Sequence, residues 1–444
     1  MTLEVKPKNG KFRNNPPVDS AAASTLTVNY LNTLSKERGK LREIVNKNFN
    51  NRSYVLEACL SVKAQSLISD ITLPFCLILL GQPASHKSTM LDLVNSLPDC
   101  YKSDFFTSKS FVSHAANISE ENLSNIDLLP RIKNKTLITP ELAPIFSAKE
   151  EHLTEIIGIL IRILDGKGYQ SDSGSRGRRG YSEDCYFTWI GAVVEISRYV
   201  WKTLGNLGPK MYFLRIPTDA IPEEEKQQKM IANLKDKSYN IKLEEAKKQL
   251  QSFWELVKAF LNQINGKIVW NTSKDDPLVL EKLAKLAQIL ASLRASIPTY
   301  DTYHSGGSNY NYESPIIEDP QRALTSLYNL TRGHAVICGR NFITHDDLGV
   351  AMLVAFSSAP KERVELFKLL IENNGKINTS QFIEKAKVSI ATALKNMEQL
   401  SILKLVEKTE EQTLTKPITA IKLKDSYSWF LTEEFRSYLD NLYS

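Results

Sequence analysis

The chain has 444 residues, a length that favours two or three domains. Of these residues 42% are hydrophobic and 24% are charged, which is typical of a soluble, globular protein. A formal net charge of +6 permits a polyanionic partner without requiring one. The five cysteines are scattered without a CxxC pair, which argues against a disulfide framework or a zinc site and favours a reducing compartment. The six histidines show no metal-ligand spacing either.

The N-terminal residues 1–26 are polar and carry Lys6, Lys8, Lys11 and Arg13. This composition predicts a disordered basic tail, and a non-specific DNA-binding arm is the alternative interpretation. No apolar stretch follows the first lysines, and no apolar run in the chain approaches the roughly 18 residues of a membrane span. We therefore expect a cytoplasmic protein without a membrane partner.

Residues 27–218 predict an α/β core that begins with helices. Apolar strands within Ile71–Leu80, Thr136–Thr139 and Tyr186–Val194 alternate with helical segments, one of them around Leu153–Leu164. Strands that alternate with helices in this way favour a parallel sheet.

The loop after the first strand has the layout of a phosphate site. Backbone N–H groups of such a loop face phosphate oxygens, its lysine reaches the β- and γ-phosphates, and the hydroxyl of Ser88 ligates Mg²⁺. His86 stands where this pattern usually has glycine, and the alternative is a structural corner that merely contains a Lys-Ser pair. The expected ATP contacts are Gly81, Gln82, Pro83, Ala84, Ser85, His86, Lys87, Ser88 and Thr89.

Glu141 follows the second apolar strand, which we expect to lie next to the first in the sheet. A carboxylate at this place orients and deprotonates the water that attacks ATP. An aspartate that helps to hold Mg²⁺ normally precedes it, and here that residue is Pro140. The alternative is a strand-end carboxylate without a catalytic role, so hydrolysis rests on Glu141 alone.

A segment rich in glycine, serine and arginine precedes the third strand. It contains Arg176, Arg178 and Arg179, whose guanidinium groups match phosphate oxygens, and its glycines permit a tight turn. On composition alone, a solvated surface loop is the alternative interpretation.

Residues 219–359 predict a helical region that is interrupted at 298–318 by a flexible loop rich in Tyr, Ser, Gly and Asn. Residues 360–444 predict a small separate domain, in which three helical segments precede two alternating strands, the order of a winged helix. On this prediction Thr392 and Lys395 face outward from the third helix and bind DNA, and docking of another protein is the alternative.

Taken in order, these segments resemble an AAA+ ATPase, specifically the helicase core of the minichromosome-maintenance (MCM) family and the MCM-like ATPases of mobile elements. The resemblance covers residues 72–358 and rests on the order and spacing of segments. It implies that residues 165–181 form a hairpin that directs basic side chains at DNA in a central channel. It also implies that residues 185–195 form the sensor-1 strand, although Val193 and Val194 stand where that strand carries a polar side chain.

Two further residues take their roles from this resemblance alone. Lys210 corresponds to the arginine finger that one subunit offers to its neighbour's ATP, although lysine lacks the planar fork of arginine. Arg322, near the start of the lid helix, corresponds to sensor 2 and contacts the γ-phosphate. The respective alternatives are a surface lysine and an exposed helix arginine. The implied catalytic set is Lys87, Glu141, Lys210 and Arg322.

The sequence therefore predicts an ATP-dependent DNA motor, a helicase or translocase that assembles as a hexameric ring. The alternative is an ATP-gated DNA-binding switch with little turnover, which Pro140 and Val194 favour. A protein-remodelling AAA+ ATPase is a third possibility, disfavoured by the arginine-rich segment and the winged-helix order.

Overall fold

The computed structural model describes residues 20–115, 118–174, 177–217, 238–262, 266–304, 307–412 and 417–441, together with residues 224, 227, 228 and 231. Numbered in chain order, the helices are α1 (Ser20–Asn48), α2 (Ser53–Ala64), α3 (Lys87–Asn95), α4 (Glu120–Ile126), α5 (Leu128–Ile132), α6 (Ala143–Phe146), α7 (Glu150–Ile163), α8 (Arg198–Leu207), α9 (Tyr239–Asn262), α10 (Pro277–Leu293), α11 (Pro320–Ile337), α12 (Leu348–Ser357), α13 (Lys361–Glu372), α14 (Thr379–Ala386), α15 (Ile390–Ile402) and α16 (Glu433–Asn441). The strands are β1 (Phe75–Leu80), β2 (Cys100–Lys102), β3 (Thr136–Thr139), β4 (Tyr169–Ser173), β5 (Gly177–Tyr181), β6 (Thr188–Val193), β7 (Met211–Arg215), β8 (Thr299–His304), β9 (Gly307–Tyr312), β10 (Lys376–Asn378), β11 (Val406–Gln412) and β12 (Pro417–Leu423).

Helix α1 begins inside the segment that the sequence assigned to a disordered tail. Its buried residues Leu34, Leu41 and Val45 are spaced by seven and four positions, so they lie on one face of the helix. That face packs into the main core. The helix itself begins at Ser20, within the segment predicted as a tail. The basic residues at positions 6–13 lie outside the described residues. Within the described ranges, no helix combines the length and apolarity that a membrane span requires.

A five-stranded sheet with the order β2-β3-β6-β1-β7 forms the centre of the fold, and all of its strand pairs are parallel. The predicted α/β class with a parallel sheet is thereby confirmed. Every residue of β1 and of β6 is buried, which explains why β1 is a continuous apolar run and why apolar and polar residues do not alternate in β6. The expectation that the strand before Glu141 lies next to β1 was wrong, because β6 lies between β1 and β3.

Helices cover both faces of this sheet. Successive side chains of β1 point to opposite faces, so Leu77 and Leu79 belong to one hydrophobic cluster and Cys76 and Ile78 to the other. The first cluster extends through α1, α2 and the helices α9–α12, and the second is closed by α5, α7 and α8. The carboxyl ends of β1, β3 and β6 thus emerge together at one edge of a layered core.

Helices α10, α11 and α12 occupy the region predicted as a helical lid. Helix α11 packs against α2 at very short range: a Cβ added to Gly333 would lie 1.9 Å from the carbonyl oxygen of Ser61. The segment expected to be a flexible loop instead contains the antiparallel hairpin β8–β9, in which Thr299 pairs with Tyr312. Its residues are polar, so no apolar alternation marked these strands in the sequence.

The described part of residues 360–441 contains four helices, α13–α16, and a three-stranded antiparallel sheet with the order β10-β12-β11. Helices α13–α15 and the β11–β12 hairpin occur in the predicted order, and β10 and α16 are additional. The ring of Phe356, on α12, lies 6.0 Å from that of Phe367 and 5.9 Å from that of Phe435. The core of this C-terminal module is therefore continuous with the helices that precede it.

Candidate functional site

A cleft of about 500 Å³ opens at the carboxyl ends of β1, β3 and β6. Residues 83–89 form one side of it, and Pro140, Glu141, Val194 and Tyr239 form the rest. The loop that carries the predicted phosphate contacts starts at Gly81, whose amide donates to the carbonyl of Val193 at 3.3 Å. The structure therefore brings the Lys-Ser corner and Glu141 to the same cleft, although β3 is not adjacent to β1.

Lys87 is the first residue of α3, and its side chain folds back over the loop. Its Nζ donates to the carbonyls of Gly81 and Gln82, the latter at 2.9 Å, and to Ser85 Oγ at 3.4 Å. The residue is only 8% exposed. Burial lowers the pKa of the Lys87 ammonium, and the carboxylate of Glu141 opposes this shift. A desolvated cation at the start of a helix is suited to phosphate oxygens.

His86 occupies the glycine position of the loop in a left-handed conformation, with φ 65° and ψ 17°. Ala84 also has positive φ, at 63°, so the loop twice enters a region that glycine favours. The imidazole ring lies edge-on to Phe49, with centroids 5.7 Å apart, and forms no side-chain cap on α3. The first N–H groups of α3 therefore have no cap from this residue, and they lie beside the cleft.

Ser88 and Thr89 differ in their surroundings. Ser88 is exposed in the cleft, where its hydroxyl is available to a cation such as Mg²⁺. Thr89 is buried, and its Oγ1 lies 3.0 Å from the hydroxyl of Tyr239. Sequence analysis missed Tyr239 as a cleft residue, because it begins α9 150 positions further along the chain and no local pattern marks it.

Glu141 is the single carboxylate among the described residues that line the cleft. It is exposed, and its Oε1 accepts the amide N–H of Ala143 at 2.8 Å, which fixes the side chain at the end of β3. Val194 is 40% exposed at the end of β6, where the resemblance implies a polar group. The next residue, Glu195, pairs instead with Arg215 at the end of β7, 2.9 Å away.

The arginine-rich segment forms the predicted hairpin, β4–β5, but its two described arginines differ in surroundings. Neighbouring residues of a strand point to opposite faces. Arg178 is exposed, and its Nε donates to Gln170 Oε1 at 3.2 Å. Arg179 turns inward, where its Nη2 lies 2.6 Å from Asp127 Oδ2, so in this structure it anchors the hairpin instead of facing outward as predicted. Arg176 lies outside the described residues.

The carboxylate of Asp127 accepts hydrogen bonds from several donors at the base of this hairpin. Its fully buried carboxylate accepts from the hydroxyl of Tyr181 at 2.6 Å and from the amide of Ser113 at 2.7 Å, in addition to Arg179. His114, which follows Ser113, contacts Ser171 of β4 at 2.8 Å. The hairpin is thereby attached to the loop that precedes α4.

Lys210 is not the exposed lysine that a finger requires. It is 9% exposed, and its Nζ donates to the carbonyl of Ile161 at 2.9 Å and pairs with Asp165. Arg322 is exposed at the start of α11, beside Gly208, whose added Cβ would lie 3.4 Å from Arg322 Nη1. Neither Lys210 nor Arg322 lines the cleft of Lys87 in the same chain.

Thr392 and Lys395, the predicted DNA contacts on α15, do not lie on an open surface as expected. Thr392 is half-buried and Lys395 is exposed, but both line a second cleft, between α15 and α8 of the core. They therefore do not stand on an open helix face, because the core supplies the opposite wall.

One described group has the geometry to hold a metal ion, namely His334, Cys338 and Asp347, whose ligand atoms lie within 4.8 Å of one another. His334 and Cys338 are one helical turn apart, a spacing that the sequence analysis overlooked. The carboxylate of Asp347 already accepts from Arg340 at 2.7 and 3.0 Å and from the amide of Thr344 at 2.8 Å. This donor set makes the group a buried ion-pair network rather than a metal centre.

Comparison with known proteins adds no family to this picture. No protein-family model matches the chain, and the comparison with curated proteins found no match.

Proposed function

We propose that this protein is a P-loop ATPase of the AAA+ type that binds ATP and Mg²⁺ and acts on DNA. The observation that carries the proposal is the meeting of Lys87, Ser88 and Glu141 in one cleft at the carboxyl edge of a parallel sheet. In open parallel sheets this edge is where ligands bind, and a helix N-terminus there favours phosphate.

In this proposal each cleft residue has a distinct task. The loop amides and Lys87 hold the phosphates, and the exposed hydroxyl of Ser88 ligates Mg²⁺, which supplies charge neutralisation when it is bound. Glu141, held by the amide of Ala143, orients and deprotonates the attacking water. Tyr239 closes the cleft from α9 and positions Thr89 through their hydroxyl contact.

A ring of subunits, proposed as a hexamer, would complete the site. Because Arg322 lies away from the cleft of its own chain and is exposed, we assign to it the positive charge that reaches the ATP of a neighbouring subunit. Because Lys210 already forms an ion pair with Asp165, we assign it a structural role in supporting the protein surface that carries Arg322.

DNA contact is assigned to the β4–β5 hairpin and to the C-terminal module. Arg178 is the exposed arginine of the hairpin in the described residues, and Arg179 holds the hairpin in place through Asp127. The order of α13–α15 and the β11–β12 hairpin supports a winged helix, and α10–α12 support a helical lid.

The second candidate function is an ATP-gated switch with little turnover. Pro140 and Val194 line the cleft where the AAA+ resemblance implies an aspartate and a polar sensor, and this leaves Glu141 as the sole carboxylate among the described lining residues. A site with one carboxylate binds Mg²⁺ chiefly through the phosphates and Ser88, which favours binding over hydrolysis.

The test combines ATP binding and ATP turnover, each measured with and without single-stranded DNA. Lys87→Ala should weaken ATP binding by about 10- to 100-fold, because a charge-assisted hydrogen bond to phosphate is lost. Glu141→Gln should preserve binding and abolish turnover. Lys133→Ala and Glu151→Gln remove the same charges from the exposed surface outside the cleft and serve as matched controls.

The outcomes separate the candidates. Turnover that DNA stimulates and that both variants abolish supports the motor. Tight ATP binding without turnover under any DNA condition supports the switch. Absence of ATP binding in the presence of Mg²⁺ refutes both.

A further inference from the structure

A second cleft, of about 390 Å³, lies where the C-terminal module meets the α/β core. Helix α8 and the segment that follows α10 form the core wall. The start of α13 and the exposed side of α15 form the opposite wall. A ligand in this cleft would therefore contact both parts of the chain at once.

The side chains that line this cleft are strongly biased towards positive charge. Glu362 is the one carboxylate among the described lining residues, and it pairs with Arg198 at 2.9 Å. The basic side chains that line the cleft number five, namely Arg198, Lys202, Arg294, Arg363 and Lys395. Like charges gathered around a concave, partly desolvated surface raise the local concentration of anions.

Arg363 is held rigidly at the floor of this cleft. Its Nη1 donates to the carbonyls of Leu293 at 2.8 Å and Ala295 at 2.6 Å, at the C-terminal end of α10. Burial lowers the pKa of Arg363 to about 10, and the carboxylate of Glu362 opposes this shift.

Three buried polar atoms in the cleft wall have no hydrogen-bond partner among the described residues. They are Nη1 and Nη2 of Arg294, whose side chain is 2% exposed, and Oγ of Ser296. Arg294 Nε donates to Glu318, and Nη2 lies within ion-pair distance of the same carboxylate, so Nη1 is the nitrogen that the carboxylate leaves uncompensated. Buried polar atoms are almost always satisfied, and unsatisfied donors in one cationic cleft indicate an anionic acceptor.

We infer that this cleft binds a phosphate group, supplied either by a nucleic-acid backbone or by a free nucleotide or polyphosphate. Several cations together with a hydroxyl and a guanidinium N–H provide the donors that tetrahedral phosphate oxygens accept. The nucleic-acid form of this inference extends the proposed action on DNA. The free-phosphate form stands on this cleft alone.

This inference changes how Thr392 and Lys395 act. They would contact phosphate jointly with Lys202 of α8, rather than read DNA from an isolated helix. Because such a ligand bridges the core and the C-terminal module, its binding would add to the hydrophobic contacts that already join them.

The test uses the full chain in a Lys87→Ala background, so that the ATP cleft contributes little to phosphate binding. Binding of inorganic pyrophosphate is measured by calorimetry, and binding of a fluorescent single-stranded oligonucleotide is measured by anisotropy over a range of salt. Lys202→Gln combined with Lys395→Gln should weaken the cognate ligand at least tenfold. For an oligonucleotide, the slope of log K against log salt should also fall by about 1.4, the value for two phosphate contacts.

Ser296→Ala provides a readout that a purely structural role would not give. It removes an unsatisfied buried hydroxyl, so the melting temperature of the ligand-free protein should stay unchanged or rise, while the affinity falls by about tenfold. The paired control is Lys133→Gln with Lys422→Gln, which removes two exposed charges outside the cleft and should leave affinity unchanged.

The outcomes distinguish the two phosphate sources. Variant-sensitive binding of pyrophosphate alone assigns the cleft to a free phosphate ligand, and variant-sensitive binding of the oligonucleotide assigns it to nucleic acid. If neither ligand binds, or if the cleft variants bind both as the controls do, the inference is overturned. ATP binding by the protein with Lys87 intact is scored separately, so failure here does not count against the ATPase proposal.

Discussion

The attachment of the β4–β5 hairpin depends on one buried carboxylate, and its removal has a calculable cost. Asp127 is fully buried and accepts hydrogen bonds from Arg179, Tyr181 and the amide of Ser113. Asp127→Ala leaves the Arg179 guanidinium, whose side chain is 12% exposed, without its counter-charge. Breaking one side of a buried pair costs about 3–5 kcal/mol, and the residual exposure of Arg179 places the expected loss near 3 kcal/mol.

The assay is urea denaturation of Asp127→Ala, Arg179→Ala and the double variant. Because the two side chains share one contact, their effects should not add, and we expect a coupling energy of about 1–3 kcal/mol. Asp127→Asn keeps the shape and one acceptor oxygen, and it should cost less than alanine. A loss below about 1 kcal/mol for Asp127→Ala, or additive effects of the two alanine substitutions, would refute the assignment of Arg179 as an anchor.

Three further predictions follow from single positions. His86→Gly should be more stable than His86→Ala by about 1 kcal/mol in thermal unfolding, because only glycine adopts the left-handed conformation there without penalty. Gly333→Ala should lower the free energy of unfolding, measured by urea denaturation, by about 1–3 kcal/mol or more, because the added Cβ would collide with the carbonyl of Ser61. A hydrogen bond from Lys282 lowers the pKa of Glu434 to about 2, from an ordinary value of 4.5. This contact therefore stabilises the fold fully above pH 4.5 and less as pH falls towards 2, and Glu434→Gln should flatten the fall of the unfolding midpoint in that range.

The parts of the fold that the sequence predicted well are those set by local patterns. A buried strand such as β1 needs a continuous apolar run, and a Lys-Ser pair at a strand–helix corner marks the start of α3. The glycine- and arginine-rich composition around Arg178 predicted the β4–β5 hairpin, in which Tyr169 pairs with Tyr181 and Ser173 with Gly177. In each case the residues that determine the structure are close together in the chain.

The parts that the sequence did not predict depend on contacts between distant residues. Strand order is such a property, and nothing in the composition of β6 shows that it lies between β1 and β3. The partner of Lys210 is Asp165, 45 positions earlier, and that of Arg179 is Asp127, 52 positions earlier. A basic residue in the sequence therefore reveals its charge but not whether a carboxylate has already neutralised it.

Desolvation decides which basic residues remain available for ligands. Moving Lys210 outward to a neighbouring subunit would leave the carbonyl of Ile161 and the partly buried Asp165 without their donor, so the move must overcome that cost before any new contact forms. Arg322 is exposed and has no such cost. The same comparison favours Arg178 over Arg179 as the proposed DNA contact, because Arg179 would have to break its ion pair with Asp127. Under the proposed function, contacts between subunits and with DNA should therefore depend on Arg322 and Arg178, whereas the loss of Lys210 or Arg179 should first appear as lost stability.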